Sequence, residues 1–180
     1  MQIKDNNFPN IFIASDDVSM RSQKSYLLFK KLELCLLVIA ALLAIYSYSA
    51  EKVMLGINVV TGIILLITLV LTIIIRYFEY EKFWYEGRAL AESVKTVSWR
   101  YMTNSESFEE HDRHVGEKFI QRVEDLKNEF RGLIPEMDNN LLSLPYITDF
   151  MREVRKMSLN DRKKFYRTNR LEDQIKWYTK

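Results

Sequence analysis

The chain has 180 residues, of which 48% are apolar and 28% charged. That is enough for one medium domain or two small ones with a buried core, and too apolar for a disordered segment. Lys and Arg number 26 against 24 Asp and Glu, a net of +2 that is too weak to argue for nucleic acid as the main partner, and the single cysteine, Cys35, excludes a disulfide framework or a cysteine-rich zinc module. With five Gly and three Pro, and no Pro between Pro9 and Pro135, glycine-rich phosphate loops are nearly excluded and long uninterrupted helices are favoured.

In chain order, residues 1–14 read as irregular, and Ser15, Asp16 and Asp17 supply an N-cap with acidic first-turn residues. A helix is expected from there into the first of two blocks without charge, residues 34–50 (17 residues) and 53–75 (23 residues). At the rise of an α-helix the blocks measure roughly 25 and 35 Å, against about 30 Å for the hydrocarbon core of a bilayer. The second spans with length to spare. The first is at the lower limit, with Lys31 and Glu33 snorkelling at one end and Tyr46 and Tyr48 at the other interface. A buried core helix is the alternative for the first block, disfavoured because the second follows at once. Only Glu51 and Lys52 separate the blocks, which predicts a tight antiparallel hairpin. Arg21, Lys24, Lys30 and Lys31 precede it and Arg76, Lys82 and Arg88 follow, so the positive-inside rule places both termini in the cytoplasm. A cleaved signal peptide does not fit this layout.

After the second block, Phe83, Gly87, Leu90, Val94, Val97 and Tyr101 recur at helical spacing, predicting one helix over 53–102, on the order of 75 Å long, that stops in Thr103-Asn104-Ser105. Val115, Phe119, Val123, Leu126, Phe130 and Leu133 form another stripe, closed by Gly132 and Pro135. A connector with Asn139, Asn140 and Pro145 follows. Thr148 and Asp149 cap a brief helix through Met157, and Ser158 with Asp161 caps a last helix still running at Lys180, as if the natural chain continued. The fold class is therefore all-α: a cytoplasmic N-terminal segment (1–33), a transmembrane hairpin (34–75) and a cytoplasmic helical region (76–180) into which the second helix continues. Residues 104–149 hold eleven acids and five bases, and residues 152–180 ten bases and four acids. The opposite signs suggest packing of these helices on each other or across subunits, against two solvated faces as the plain alternative. The basic arm, with Phe165, Tyr166, Trp177 and Tyr178 interleaved, also suits anionic headgroups.

No catalytic, cofactor or metal site is expected. Cys35 lies in lipid, where a thiolate does not form. His111 and His114 flank Asp112, which reads as a solvated polar turn rather than a metal pair. Glu79, Glu81, Glu86 and Glu92 alternate with Lys82, Arg88 and Lys95 as ordinary helix-surface charges. The informative pattern lies in the second span, where Asn58, Thr61, Leu65, Thr68 and Thr72 lead to Arg76 along one face. Ala40, Ala44 and Ser47 make a small-residue stripe in the first span. The polar stripe has three readings: hydrogen bonds in a packed bundle, the lining of a pore built from several copies, or lipid exposure with each hydroxyl bonded to its own helix.

The stretch FWYEGRALAESVKTVSWRYM directly behind the hairpin carries Trp84, Arg88, Ala91, Glu92, Lys95, Trp99, Arg100 and Tyr101 in an order that resembles the SLATT family, two-transmembrane effector domains of bacterial conflict systems. The resemblance is strongest over residues 24–103. It implies a pore-forming effector of the bacterial inner membrane, switched on through a sensor partner and often a nucleotide signal, with no catalytic residues to transfer. RLEDQIKWY near the end also looks like the segment that introduces a second hairpin in tandem members. The residues themselves give the motif structural roles, with Trp84 and Trp99 as helix anchors and Arg88 and Glu92 as a pair within or across subunits. A nucleotide site using Arg88, Lys95 and Arg100 is the competing reading. The leading expectation is a homo-oligomer in the lipid bilayer that forms a pore or leak; a non-conducting anchor that scaffolds a partner is the alternative.

Overall fold

A computed structural model describes residues 2–49, 55–109, 113–143, 145–172, 174, 175 and 179. Expectations placed on Glu51, Lys52, His111, Trp177, Tyr178 and Lys180 lie outside the described residues. The described elements are helical: α1 (Asn10–Ser49), α2 (Leu55–Tyr77), α3 (Tyr80–Thr103), α4 (Val115–Glu129), α5 (Asn139–Leu142), α6 (Asp149–Lys156) and α7 (Leu159–Tyr166). Tight 3-10 turns cover Asp5–Asn7 and Arg131–Glu136, and a π-helical turn covers Arg167–Leu171.

The first helix starts earlier than its acidic cluster suggested. Pro9 stands at its entrance, its carbonyl accepting from Phe12 and Ile13 at 3.0 and 3.3 Å. Proline suits a first turn, where φ is preset and no N–H is needed. Ser15 is therefore inside the helix, its hydroxyl bonded to the Ile11 carbonyl at 2.7 Å instead of capping.

The helix expected over 53–102 is broken at Phe78–Glu79, where Glu79 takes a left-handed φ of 47°. A non-glycine residue in that region costs on the order of 1 kcal/mol. Ring stacking offsets the cost: Phe78 lies on Tyr80 at 5.5 Å between centroids, and Tyr80 on Phe29 at 5.7 Å. At its other end α3 stops where the polar cluster predicted. Asn104, at φ 54°, lets its own N–H reach the Tyr101 carbonyl and the Ser105 N–H reach that of Arg100, a Schellman closure.

The next helix closes at Glu129, three residues before Gly132, and the chain tightens into the 3-10 turn that holds Pro135. Pro135 has no N–H to offer residue 131 and restricts the residue before it, so an α-helix cannot pass through. Thr148 and Ser158 cap α6 and α7 as expected, accepting from the N–H groups of Met151 and Asp161. The expected final helix passes at Tyr166 into the π-helical turn and is helical again at Glu172, Gln174 and Ile175.

The chain forms two compact units. Unit 1 comprises Met1–Ser19 and Tyr85–Lys180. Its core joins Phe8, Ile11, Phe12 and Val18 with Leu90, Ala91, Val94 and Met102, and with Phe119, Val123, Leu133, Met151 and Val154. The predicted α3 stripe is buried from Gly87 to Tyr101, and only Phe83 at its start is half-buried. The basic segment 152–180 touches the acidic segment 104–149 through Arg155. Arg155 of α6 donates to three carbonyls, those of Tyr101, Phe108 and Glu109, at 2.7, 3.0 and 3.1 Å, and lies over the Tyr101 ring.

Unit 2 comprises Met20–Trp84. Two polar contacts fix the antiparallel pairing of α1 and α2: the Ser47 hydroxyl donates to Asn58 Oδ1 at 2.7 Å, and the Thr72 hydroxyl donates to Glu33 Oε1 at 2.6 Å. The two contacts stand fourteen residues apart on each helix, so the register holds over four turns without slipping. The less exposed positions form a seam: Glu33, Leu36, Ala40, Leu43 and Ser47 on α1, and Ile57, Thr61, Ile64, Thr68, Leu71 and Ile75 on α2, with Thr72 and Ile74 half-buried beside them. Alternating steps of three and four make this the seam of a left-handed helix pair. Many of the exposed positions on these helices are large and apolar, including Leu37, Val38 and Leu42 on one and Val59, Leu66 and Val70 on the other. The helical stretch Leu55–Thr103 is the one among the described residues that is long and apolar enough to cross a membrane, and its most apolar window has a mean hydropathy of 2.7.

Candidate functional site

The polar stripe of the second span is only partly a single face. Thr61, Thr68 and Thr72 turn toward α1, Thr68 being buried, while Asn58 and Leu65 stand exposed at its edge. The hydroxyls of Thr61 and Thr68 bond the carbonyls of Ile57 and Ile64 at 2.9 Å, four residues back on their own helix. They need no partner on α1. Thr72 reaches Glu33, and Glu33 also pairs with Lys30 at 2.7 Å. Glu33 as a whole is 8% exposed and sits where the first apolar block begins. On α1, Ala40 and Ser47 enter the seam and Ala44 does not. Sequence reasoning missed Glu33 and Ser47 as partners. The heptad steps from Tyr26 through Phe29, Glu33, Leu36, Ala40, Leu43 and Ser47 would have revealed both.

The motif behind the hairpin divides between the units. Trp84 belongs to unit 2 and packs on Tyr26 at 6.0 Å. In unit 1, Arg88 pairs with Glu92 at 2.8 Å and with Asp16 at 3.5 Å. Burial pushes the Asp16 carboxyl above its ordinary range, against the pull of Arg88. Ala91 is fully buried. Lys95 stands over the rings of Phe8 and Phe12 at 5.6 and 5.4 Å, a cation–π contact with the segment that opens α1. Trp99, 4% exposed, touches Phe8, Phe165 and Tyr166, joining the N-terminal segment, α3 and α7. Its indole N–H finds no acceptor among the described residues. Arg100 is exposed and pairs with Glu106 at 3.3 Å. Tyr101 is buried against Phe108 and Phe119, under Arg155.

The three cations of the competing nucleotide-site reading are not brought together. Arg88 is tied to acids, Lys95 to aromatic rings, and Arg100 faces a different wall of α3, bordering a cavity with residues of α7 and the π-helical turn. Among the described residues no cluster of three His, Cys, Asp or Glu side chains is placed to hold a metal; His114 pairs with Glu117. Elsewhere in unit 1 the Tyr146 hydroxyl donates to Glu124, and burial together with that carboxylate pushes the phenol above its usual value.

Comparison with curated proteins and with solved structures found no match. Residues 9–163 match the family described as SMODS and SLOG-associating 2TM effector domain 3, a span that takes in the hairpin seam, the motif and the core of unit 1. The chain belongs to that SLATT family of two-transmembrane effector domains, and it is an all-α membrane effector.

Proposed function

We infer that this effector acts by permeabilising the bacterial inner membrane as a homo-oligomer, without catalysing a reaction, and that both its termini face the cytoplasm. The observation that carries the reading is the composition of the hairpin seam. Three threonines and a carboxylate lie along it, and the threonine hydroxyls at 61 and 68 are satisfied on their own helix. Packing alone does not call for them, since apolar residues of similar size would fill the seam as well. Ionisable and polar groups inside spans are costly and mark ion pathways. One hairpin has too little wall to enclose water, so the seam becomes a lining only when hairpins re-pair between copies. A sensor protein or a nucleotide signal acting on the cytoplasmic helices is the trigger that fits such a closed resting state.

The test is membrane potential in bacteria, read with a voltage-sensitive dye after induced expression. Thr68→Val with Thr72→Val keeps the shape of each side chain, whereas leucine would overfill the buried Thr68 site. Depolarisation by the wild type that falls at least tenfold in the double variant, at equal membrane abundance, supports the reading. Equal leak from both removes the seam as the lining. The closed seam itself favours a second reading, a non-conducting anchor whose cytoplasmic helices bind a partner. That reading predicts no leak under any trigger and full partner recruitment by the double variant.

A further inference from the structure

We propose that the cavity beside Trp99 in unit 1 binds a phosphorylated ligand with an apolar or aromatic body. The cavity measures about 680 Å³, within the range of small-molecule sites. Its wall gathers Arg100 from α3, Arg162 and Lys163 from α7, and Arg167 and Arg170 from the π-helical turn, against Glu172 as the acid among the described lining residues. Two of these five cations are paired, Arg100 with Glu106 at 3.3 Å and Arg167 with Glu172 at 4.0 Å, and Arg162 donates to the Arg155 carbonyl at 2.9 Å; the wall still carries more positive than negative charge, which an anion in its midst balances. Four of the five are arginines, whose planar forks match phosphate oxygens two at a time.

The rest of the wall is not that of an anion site alone. Trp99, Tyr166, Leu159, Leu171 and Ile175 make it substantially apolar, and a merely solvated basic face has no use for such a floor. Two further observations point to a ligand. The Trp99 indole N–H is buried without an acceptor among the described residues, a costly arrangement that a ligand oxygen relieves. The turn that carries Arg167, Arg170 and Leu171 is π-helical, a strained geometry that clusters at functional sites. A second cavity of about 420 Å³ shares Trp99, Arg170 and Glu172 and adds Lys4, Asp5 and Lys95, giving room for a second polar group. Lys95, Trp99 and Arg100 of the family motif thus acquire a common purpose as walls of these cavities. The proposal does not depend on whether the hairpin conducts.

The same chemistry is offered by a free phosphorylated small molecule with a planar base and by the headgroup of an anionic phospholipid. The experiment uses the full chain in a neutral detergent, titrated with a trinitrophenyl-labelled adenosine triphosphate whose fluorescence rises on binding. Saturable binding in the micromolar range is expected, weakening at least tenfold in Arg167→Ala/Arg170→Ala and several-fold in Trp99→Phe, which keeps the ring contacts and deletes the N–H. Arg167→Lys/Arg170→Lys keeps the charge and is expected to retain part of the affinity, which separates loss of binding from loss of fold. Displacement by adenosine diphosphate assigns the site to free phosphorylated molecules; displacement by dihexanoyl phosphatidylglycerol assigns it to lipid; either supports the proposal. No saturable binding below about 1 mM, wild-type affinity in the double alanine variant, or displacement by inorganic phosphate as effective as by either competitor overturns it.

Discussion

Replacing Gly87 by alanine tests the packing that closes unit 1. A methyl group built on Gly87 stands 2.9 Å from the Ser15 carbonyl oxygen and 3.1 Å from both Cβ and N of Ser19. All three atoms belong to α1, two of them are backbone, and none can swing aside as the end of a long side chain can. In an open helix interior the exchange of glycine for alanine gains about 0.5–1 kcal/mol from reduced chain entropy. Forcing a methyl into a filled site costs about 1–3 kcal/mol. The clash wins, for a net loss of about 1–2 kcal/mol, or about 4–8 °C in the unfolding midpoint of a unit this size. Thermal scans of the detergent-purified full chain, followed by tryptophan fluorescence because Trp99 is buried in the same unit, read the change. Gly62→Ala is the control: nothing lies within 4 Å of a methyl there, so its midpoint is expected to hold or rise. A midpoint for Gly87→Ala at or above the wild type refutes the close approach of α1 and α3 inside unit 1.

Arg155→Ala is expected to cost about 2–4 kcal/mol, because three carbonyls lose a charged donor and the Tyr101 ring its cation, with Arg155→Lys restoring only part of the midpoint. Asp16 carries a pH signature. Burial holds its proton in the folded protein at pH values where the unfolded chain has released it, so this group's contribution to stability falls as pH rises from the ordinary value of 3.8 through the raised one. Asp16→Asn is therefore expected to flatten the acid-side decline and to unfold later than the wild type at pH 7, and equal midpoints at pH 4 and pH 7 in both proteins would contradict the assignment. Cys35 is exposed on α1 and is the single cysteine, so labelling needs no background removal. In membranes it is expected to resist a charged maleimide and to react fully once detergent replaces lipid; rapid labelling in intact membranes argues against the first span.

The class of this protein was legible in its sequence because membrane insertion is decided by composition and length, which are properties of one segment at a time. Two apolar blocks with no room between them leave few alternatives to a hairpin, although its partners, Ser47 with Asn58 and Glu33 with Thr72, were not read from the sequence. Helix ends written in local chemistry were legible too. The Asn104 closure and the Thr148 and Ser158 caps each depend on residues within a turn of the boundary. Ends that depend on competition were misjudged. Pro9 outbids the acidic cluster at Ser15 for the start of α1, and the left-handed Glu79 exists because rings at 29, 78 and 80 stack, a fact no local propensity contains.

What the sequence by itself determined is a helical membrane effector of the SLATT family with a polar face on its second span. What only the tertiary structure decided is where that polar face looks. A period of 3.6 says which residues share a side of a helix, but not which neighbour takes that side, and the contacts with Glu33 and Ser47 turn the stripe into the seam of the hairpin. The basic cavity was illegible for the same reason. Arg100 lies some sixty residues from Arg162 and Lys163, and only the packing of Trp99 against Phe165 and Tyr166 brings their charges to one wall.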